Sequence, residues 1–350
     1  MLCREEVKKK QKVKCVVWDL DNTIWNGILL EDNQVVINDN ILDIIITLDS
    51  RGILQSIASK NDYAVAMAKL KEFKIDEYFL YPQINWNPKS NSVKQIAQLL
   101  NIGTDSLAFV DDQYFELEEV SFSLPEVLCI DVNNISLMLE MNEMNPYFIT
   151  QDSKLRRQMY MSDIKRKKIE MEYVGTQEDF LASLNMIFSI APVEIEDLQR
   201  AEELTIRTHQ LNTTGYTYSY EELSDLMNSG KHKLFITGLE DKYGSYGKIG
   251  LTLLELEKDI WTIKLLLMSC RVMSRGVGTV MLNYVMKLAE KAGVKLYAEF
   301  IPNDRNRMMY VTYKFAGFKE VNEQAGVSIL ECDYSQIQPF PKYLELRISE

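Results

Sequence analysis

The chain has 350 residues, of which 46% are apolar and 26% are charged, a composition typical of a globular protein with room for two domains. Its formal net charge of −12 argues against general nucleic-acid binding, and no uninterrupted apolar run is long enough for a transmembrane helix. The N-terminal residues are basic but lack the apolar stretch of a secretory signal. We therefore expect a cytoplasmic protein without membrane or nucleic-acid partners.

Residues 1–148 alternate strand-like and helix-like segments, which predicts a parallel sheet covered by helices. The predicted strands are 14–20, 54–59, 107–112 and 126–132. The predicted helices are 40–52, 62–73 and 90–103. Because connections between parallel strands are right-handed, the predicted fold of this half is a doubly wound α/β sheet.

Polar side chains follow these strands at their carboxyl ends, the edge where open α/β sheets bind ligands. The set comprises Asp19, Asp21, Thr23, Ser59, Asn61, Lys89, Asp111 and Asp112. An aspartate at a strand tip can attack phosphorus, and a second one two residues later can act as general acid and base. A hydroxyl and a lysine can hold phosphate oxygens, and Mg²⁺ bound by carboxylates can offset the repulsion between the like charges. The series therefore predicts phosphoryl chemistry.

Each part of this series also has a simpler interpretation when it is taken alone. The pair Asp19 and Asp21 could form a calcium-binding or capping turn. Ser59 could be a helix N-cap, and Lys89 could be a surface lysine. Their order, with each part placed at a strand end, favours the phosphoryl site.

The segments VVWDLDNTIWNG, SIASKND, INWNPKSNS and FVDDQ resemble subfamily IIIC of the haloacid dehalogenase (HAD) phosphatase superfamily. The resemblance implies that Asp19 is the nucleophile that becomes an aspartyl-phosphate, and that Asp21 is the general acid and base. It implies that Ser59 and Lys89 hold the phosphoryl group, with Thr23 and Asn61 as further substrate contacts. The implied Mg²⁺ ligands are Asp19, Asp21, Asp111 and Asp112. The stretch between Asp21 and Ser59 is too short for a large cap, which suits a bulky or protein-bound substrate.

Residues 149–185 are predicted to be a basic helical linker. Seven basic residues lie between Lys154 and Lys168, against one acidic residue, Asp163. The segment could be a solvated connecting helix or a docking surface for an acidic partner. For the docking alternative we expect contributions from four residues, which are Arg156, Arg157, Lys165 and Lys168.

Residues 186–350 show a different pattern, which predicts an α+β domain. The predicted strands are 232–240, 247–256, 260–269, 294–302 and 326–333. A glycine-containing turn, SRGVG (274–278), precedes a predicted helix and offers backbone N–H groups to an anion. The turn resembles the coenzyme A pyrophosphate motif of the GNAT acyltransferase fold, which implies anion contacts from Gly276 and Gly278. The Arg or Gln usual in that motif is Met273 here, and Arg271 and Arg275 are candidates to replace it.

Longer segments extend the resemblance over most of the chain. IRTHQLNTTGYTYSYEEL, YGSYGKIG, LLLMSCRVMSRGVG and NDRNRMMYVTYKFAGF resemble the FkbH-like family, in which a HAD domain precedes a GNAT-like domain. The resemblance implies a glyceryl transferase-phosphatase. Such an enzyme moves the glyceryl unit of 1,3-bisphosphoglycerate to the phosphopantetheine thiol of an acyl carrier protein and releases phosphate.

Cys270 is the candidate nucleophile of the second half, because a thiolate ahead of an anion-binding turn is activated. His209 could act as its base. Cys270 could instead be a small buried residue, and His209 an ordinary core histidine. Asn306 and Tyr313 could contact substrate or simply pack. The four other cysteines, which we interpret as structural or incidental, are Cys3, Cys15, Cys129 and Cys332.

Three functions compete at this point. The first is glyceryl transfer to a carrier protein, with Mg²⁺ as cofactor. The second is a stand-alone phosphatase for a small sugar or acyl phosphate, with a non-catalytic second half. The third is a binding protein without activity, which the intact acidic series argues against.

Overall fold

The computed structural model describes residues 13–32 and 34–349, so the prediction for Cys3 lies outside the described residues. The chain divides into two compact units, 1–161 and 162–350. The boundary falls inside the predicted linker. None of the helices in the described ranges is both long enough and apolar enough to cross a membrane.

The first unit contains a five-stranded parallel sheet and a separate two-stranded sheet. Its strands are β1 (Cys15–Trp18), β2 (Trp25–Asn26), β3 (Val36–Ile37), β4 (Leu54–Ser59), β5 (Gln83–Ile84), β6 (Leu107–Asp111) and β7 (Leu128–Asp131). Its helices are α1 (Asp39–Ser50), α2 (Tyr63–Glu72), α3 (Lys89–Leu100), α4 (Tyr114–Ser123) and α5 (Gln151–Lys154). Short 3₁₀ helices lie at Asp76–Tyr78, Thr104–Ser106, Val132–Glu140 and Asn142–Met144.

The parallel sheet has the order β5-β4-β1-β6-β7, so that β1 lies at its centre. The β1 strand is buried along its whole length, since helices cover both faces of such a sheet. Ile41, Ile45 and Leu48 of α1 belong to the same buried apolar cluster as Trp18 of β1. Between β1 and α1 the described residues form the β2–β3 pair and an isolated bridge between Asp21 and Trp25, which agrees with the expected minimal cap.

The helix α6 (Arg156–Glu172) contains the boundary between the two units. The sequence predicts a single helix over this region, but the structure has α5 and α6, which are separated at Leu155.

The second unit contains an eight-stranded mixed sheet with the order β13-β14-β12-β11-β10-β9-β8-β15. Its strands are β8 (Met186–Pro192), β9 (His232–Asp241), β10 (Gly244–Leu256), β11 (Ile260–Met268), β12 (Lys295–Phe300), β13 (Phe318–Gln324), β14 (Val327–Cys332) and β15 (Leu344–Ile348). Its further helices are α7 (Gln177–Ser183), α8 (Leu198–Arg207), α9 (Tyr220–Asn228), α10 (Val277–Ala292) and α11 (Arg307–Phe315). Short 3₁₀ helices lie at Ile195–Asp197, Cys270–Arg275 and Tyr334–Gln336.

Helices pack on both faces of this mixed sheet. The apolar side of α10, with Val280, Met281 and Val285, belongs to one buried cluster. Leu204 of α8 and Leu223 of α9 belong to another cluster, together with alternate residues of β9, β10 and β11. The predicted fold class, a doubly wound α/β sheet followed by an α+β domain, is confirmed.

Candidate active site

The register of the parallel sheet brings the predicted motif residues together. Trp18 of β1 pairs with Ile57 of β4 and with Val110 of β6. One residue further along each strand, Asp19 is therefore level with Asp111. The carboxyl ends of β4, β1 and β6 thus meet at one edge, as the sequence predicts.

Lys89 connects the acidic residues at this edge. Its Nζ lies 2.5 Å from Asp19 Oδ1 and 2.7 Å from Asp111 Oδ2. All three side chains are buried, so the two carboxylates share one ammonium group in a region of low dielectric constant. Lys89 is the first residue of α3. The start of that helix therefore brings Lys89 to this edge from a distant part of the sequence.

Burial and charge pairing act in opposite directions on these groups. Burial raises the pKa of Asp19, although the charge of Lys89 and hydrogen bonds from Lys89 and Ser59 oppose the rise. Burial and the neighbouring charge of Asp19 raise the pKa of Asp111 to about 6, with Lys89 again opposing. Burial would lower the pKa of Lys89, but the charges of Asp19 and Asp111 outweigh that effect and raise it.

The same edge has the donor set of a magnesium site. Carboxylate oxygens of Asp19, Asp111 and Asp112 lie within 4.8 Å of one another. Asp112 Oδ1 is buried without a hydrogen-bond partner among the described residues, and burial and the charge of Asp111 raise the pKa of this carboxyl. An orphaned carboxylate oxygen in an all-oxygen cluster fits a hard divalent cation. These residues therefore fit Mg²⁺.

Asp21 is held by three hydrogen bonds. Its Oδ1 accepts from Trp25 Nε1 at 2.8 Å and from the Leu29 backbone N–H at 3.1 Å. Its Oδ2 accepts from Asn61 Nδ2 at 3.0 Å. Sequence reasoning missed Trp25, although its position directly behind the acidic motif is a signal. Asn61 was expected to contact substrate, but in the structure it orients Asp21.

Ser59 and Thr23 are both buried near the aspartates. Ser59 is close enough to Asp19 to oppose the rise in the pKa of that carboxyl. Thr23 Oγ1 has no hydrogen-bond partner among the described residues, so its hydroxyl does not hold the turn. The turn is held instead by backbone bonds, such as Thr23 N–H to Leu20 O at 3.2 Å.

In the second unit, the SRGVG turn leads into α10 as predicted. Gly276 is the N-cap with a left-handed φ of 74°, and as a glycine it has no side chain with which to cap the helix. A Cβ at Gly276 would lie 2.5 Å from Tyr343 Oη, whereas one at Gly278 would meet nothing within 4 Å. Gly276 is therefore needed for the turn itself, while Gly278 leaves the first turn of α10 accessible.

The two candidate anion-binding arginines contact their own unit. Arg271 Nη2 donates to Tyr246 O at 2.8 Å. Arg275 is buried, and its Nη2 lies 3.2 Å from Glu170 Oε2. The Nε and Nη1 of Arg275 have no hydrogen-bond partner in the described part of the chain. Both arginines thus place part of the guanidinium in a contact within the second unit, and each keeps N–H groups that an anion could use.

Cys270 and His209 lie on neighbouring segments. Asn212 forms an antiparallel bridge with Leu267, and Met268 N–H donates to Leu211 O at 2.9 Å. His209 thus lies three residues before this bridge, and Cys270 lies three residues after its partner. Cys270 is half-buried at the start of the 3₁₀ helix Cys270–Arg275, so that it precedes α10 by one short helix.

The other described cysteines fit the structural interpretation. Burial raises the pKa of the Cys15 thiol, raises that of Cys129 to about 11, and raises that of Cys332 to about 12. Thiols with such pKa values are poor nucleophiles at neutral pH.

The structure does not support Asn306 as a substrate contact. It is fully buried, and its Nδ2 donates to Asn212 O at 3.0 Å and to Ile301 O at 2.9 Å. Its Oδ1 accepts from Asn303 N–H at 2.9 Å. The side chain therefore fastens backbone segments together and does not face a substrate. Tyr313 is buried as well, with its ring 5.1 Å from that of Phe318, so it packs.

The expectation of a basic docking surface is wrong in part. Arg156 is buried, and its Nη1 donates to Gly52 O at 2.6 Å. Arg157 pairs with Asp49 at 3.0 Å within the first unit. Lys165 and Lys168 are exposed as expected. Charge density along the sequence could not separate arginines that satisfy buried acceptors from lysines that face water.

Comparisons with known proteins give partial matches. No protein-family model matches the chain, and no curated protein matches it. Among solved structures, one similar chain is the N-terminal part of the protein BF1531 from Bacteroides fragilis, which contains a phosphatase domain and is complexed with Mg. The identity is 25% and the TM-score 0.35, over 40% of this chain and 42% of that chain.

Two similar structures are N-acetyltransferases. The ribosomal-protein-S18-alanine N-acetyltransferase from Escherichia coli is 18% identical with a TM-score of 0.32, over 41% of this chain and 90% of that chain. The PaiA N-acetyltransferase from Thermoplasma acidophilum, in complex with coenzyme A, is 17% identical with a TM-score of 0.34. That match covers 42% of this chain and 99% of the other.

Proposed function

We propose that this protein is a Mg²⁺-dependent glyceryl transferase-phosphatase. It would move the glyceryl unit of 1,3-bisphosphoglycerate to the phosphopantetheine thiol of an acyl carrier protein and release phosphate. The phosphatase part of this proposal is supported by the buried cluster in which Lys89 contacts both Asp19 and Asp111. The oxygen of Asp112 that lacks a hydrogen-bond partner among the described residues lies in the same cluster. The substrate and the carrier come from the resemblance to the FkbH-like family.

In the phosphatase step, Asp19 attacks the phosphorus of the phosphate ester and the P–O bond to the leaving oxygen breaks. Asp21 gives that oxygen a proton, then takes one from the water that hydrolyses the aspartyl-phosphate. Ser59 and Lys89 hold the phosphoryl oxygens during both displacements. Mg²⁺, held by Asp19, Asp111 and Asp112, would supply positive charge against the phosphate.

In the acyl half, the Cys270 thiolate attacks the carbonyl carbon of the acyl phosphate and the C–O bond to phosphate breaks, so that inorganic phosphate leaves. The resulting thioester then passes the glyceryl group to the carrier thiol by thiol exchange at the carbonyl. His209, on the segment next to Cys270, would accept the thiol proton.

The rim of the first site suits a large substrate. Exposed aromatic side chains follow the carboxyl ends of the strands, and these are Tyr63, Trp86, Tyr114 and Phe115. Large exposed aromatic residues are typical of surfaces that bind a partner. With the minimal cap, they support a protein-bound substrate.

A stand-alone phosphatase is the second candidate. Asn306 is engaged in holding the backbone of the second unit, which removes one of the residues expected to contact substrate there. This function predicts repeated turnover of free phosphate esters without a carrier.

Intact-mass analysis tests the proposal. The protein is incubated with Mg²⁺, 1,3-bisphosphoglycerate generated in situ, and a phosphopantetheinylated acyl carrier protein. A glyceryl increment on the carrier is the expected result. Its absence with every cognate carrier, together with phosphate release from small esters, would instead support the stand-alone phosphatase.

A matched pair of variants assigns the acyl intermediate. Cys270→Ala is expected to abolish the adduct on the enzyme and the transfer to the carrier. Cys332→Ala, which removes a thiol whose pKa is raised to about 12, is expected to leave both unchanged. Equal adducts in the two variants would exclude Cys270 as the acyl carrier.

A further inference from the structure

The helix that presents Lys89 begins without a cap from its own segment. Its N-cap is Pro88, which makes no side-chain hydrogen bond to the helix. The first backbone N–H groups of any helix lack partners inside the helix and need an acceptor from elsewhere. The position of Lys89 therefore depends on what binds the first turn of α3.

Glu119 of α4 supplies that acceptor. Its Oε2 accepts from the Ser90 backbone N–H at 2.9 Å, and its Oε1 accepts from Ser90 Oγ at 2.5 Å. Ser90 directly follows Lys89. A carboxylate at this place also interacts favourably with the positive end of the helix dipole.

The helix α4 that carries Glu119 starts three residues after Asp111. One carboxylate thus joins the beginning of the Lys89 helix to the element that follows the Asp111–Asp112 pair. Three residues before Glu119 on the same helix, Glu116 is buried and accepts from Lys60 Nζ at 2.5 Å. Lys60 follows Ser59 in the chain. Residues three apart lie on the same side of a helix. From one side of α4, Glu119 therefore contacts the segment that carries Lys89, and Glu116 contacts the segment that carries Ser59.

We propose that Glu119 is a positioning residue, which holds Lys89 between Asp19 and Asp111. Lys89 must reach two carboxylates at once, so a small displacement of its backbone breaks one of the two contacts. The consequence for catalysis rests on the proposed phosphoryl-transfer function, whereas the positioning itself does not.

Chemical labelling of Lys89 tests the positioning without any need for activity. The full-length wild-type protein and its Glu119→Ala, Glu119→Gln and Glu118→Gln variants are treated briefly with an amine-acylating reagent, and lysine labelling is read by peptide mass spectrometry. Lys94, exposed on the same helix, is the internal reference. In Glu119→Ala the labelling of Lys89 relative to Lys94 is expected to rise about fivefold, which corresponds to the ~1 kcal/mol that a lost helix cap costs.

The other two variants are the controls. Glu119→Gln keeps an amide oxygen that can accept from the Ser90 N–H, so Lys89 should label almost as slowly as in the wild type. Glu118→Gln changes an exposed carboxylate on the same helix and should have no effect. Unchanged Lys89 labelling in a folded Glu119→Ala protein, or an equal rise in Glu118→Gln, would overturn the inference.

Kinetics give a second readout. Phosphate release by Glu119→Ala should show kcat lowered about tenfold with KM nearly unchanged, since misplacement affects the transition state more than ground-state binding. In a double-mutant cycle, Ser90→Ala should add little to the effect of Glu119→Ala, because the acceptor of the Ser90 hydroxyl is already gone in that background. If the wild-type protein releases no phosphate, the proposed function fails, and the labelling result still decides whether Glu119 positions Lys89.

Discussion

Removing the charge of Lys89 should destabilise the protein strongly. Lys89→Met keeps a long side chain but leaves Asp19 and Asp111 buried without the ammonium group that lies 2.5 and 2.7 Å from them. Breaking a buried ion pair by removing one partner costs about 3–5 kcal/mol. For a unit of this size that free energy corresponds to a fall in Tm of about 10 °C.

The loss of stability in Lys89→Met should depend on pH, and the pKa values of the two carboxyls decide whether it grows or shrinks as pH rises. Burial raises the pKa of Asp111 to about 6, so its ionised form destabilises the folded state as pH rises through that value. Without Lys89 the pKa values of Asp19 and Asp111 should rise further, because the charge that opposes the effect of burial is gone. At low pH both carboxyls then take up protons and the penalty shrinks.

Thermal unfolding in metal-free buffer at pH 5 and pH 8 measures this effect. The difference in Tm between the wild type and Lys89→Met should be large at pH 8 and small at pH 5. Lys94→Met, an exposed position on the same helix, is the matched control and should change little at either pH. A loss at pH 8 no greater than that of the control, or an equal loss at both pH values, would refute the reasoning.

Three further predictions concern the two units. Asp111→Asn should raise Tm in metal-free buffer at pH 8, because it removes a buried charge whose pKa is raised, and should abolish any stabilisation by Mg²⁺; a lower Tm would contradict this. Asp21→Asn should lower phosphate release by roughly 10²- to 10⁴-fold in steady-state assays with Tm little changed, and full activity would exclude Asp21 as the general acid and base. Asn306→Ala should cost about 1–3 kcal/mol in urea unfolding, because the carbonyls of Asn212 and Ile301 lose a buried donor. The exposed Asn322→Ala is its control, and an equal cost in both would show that the buried amide stabilises nothing.

The sequence predicted the architecture well because its signals are local. Apolar runs followed by polar residues marked β1, β4 and β6, and the helical spacing between them marked α1, α2 and α3. Strand boundaries differ by a few residues: the predicted strand 14–20 is Cys15–Trp18 in the structure. The two-residue β5 was missed because so short a strand shows no alternation of apolar and polar residues. The helix α4 was missed because it begins with two exposed aromatic residues, which obscure its apolar spacing.

The place of the first site was also predictable, because parallel strands bring their carboxyl ends to one edge whatever lies between them. The contacts within the site were not. Lys89 is 70 residues from Asp19, and its reach to both Asp19 and Asp111 depends on where α3 starts. Glu119, which binds that start, looks in the sequence like any charged residue on a helix.

The sequence by itself determined the order of the elements and the chemical types of residue at the strand ends, since both depend on neighbours in the chain. Only the tertiary structure decided which polar residues face the site and which hold the backbone. Asn306 fastens buried carbonyls, Arg156 is buried against Gly52, and Asn61 orients Asp21. Each of these roles is set by a hydrogen-bond partner that comes from another segment of the fold, and a buried donor binds whichever acceptor the fold brings to it.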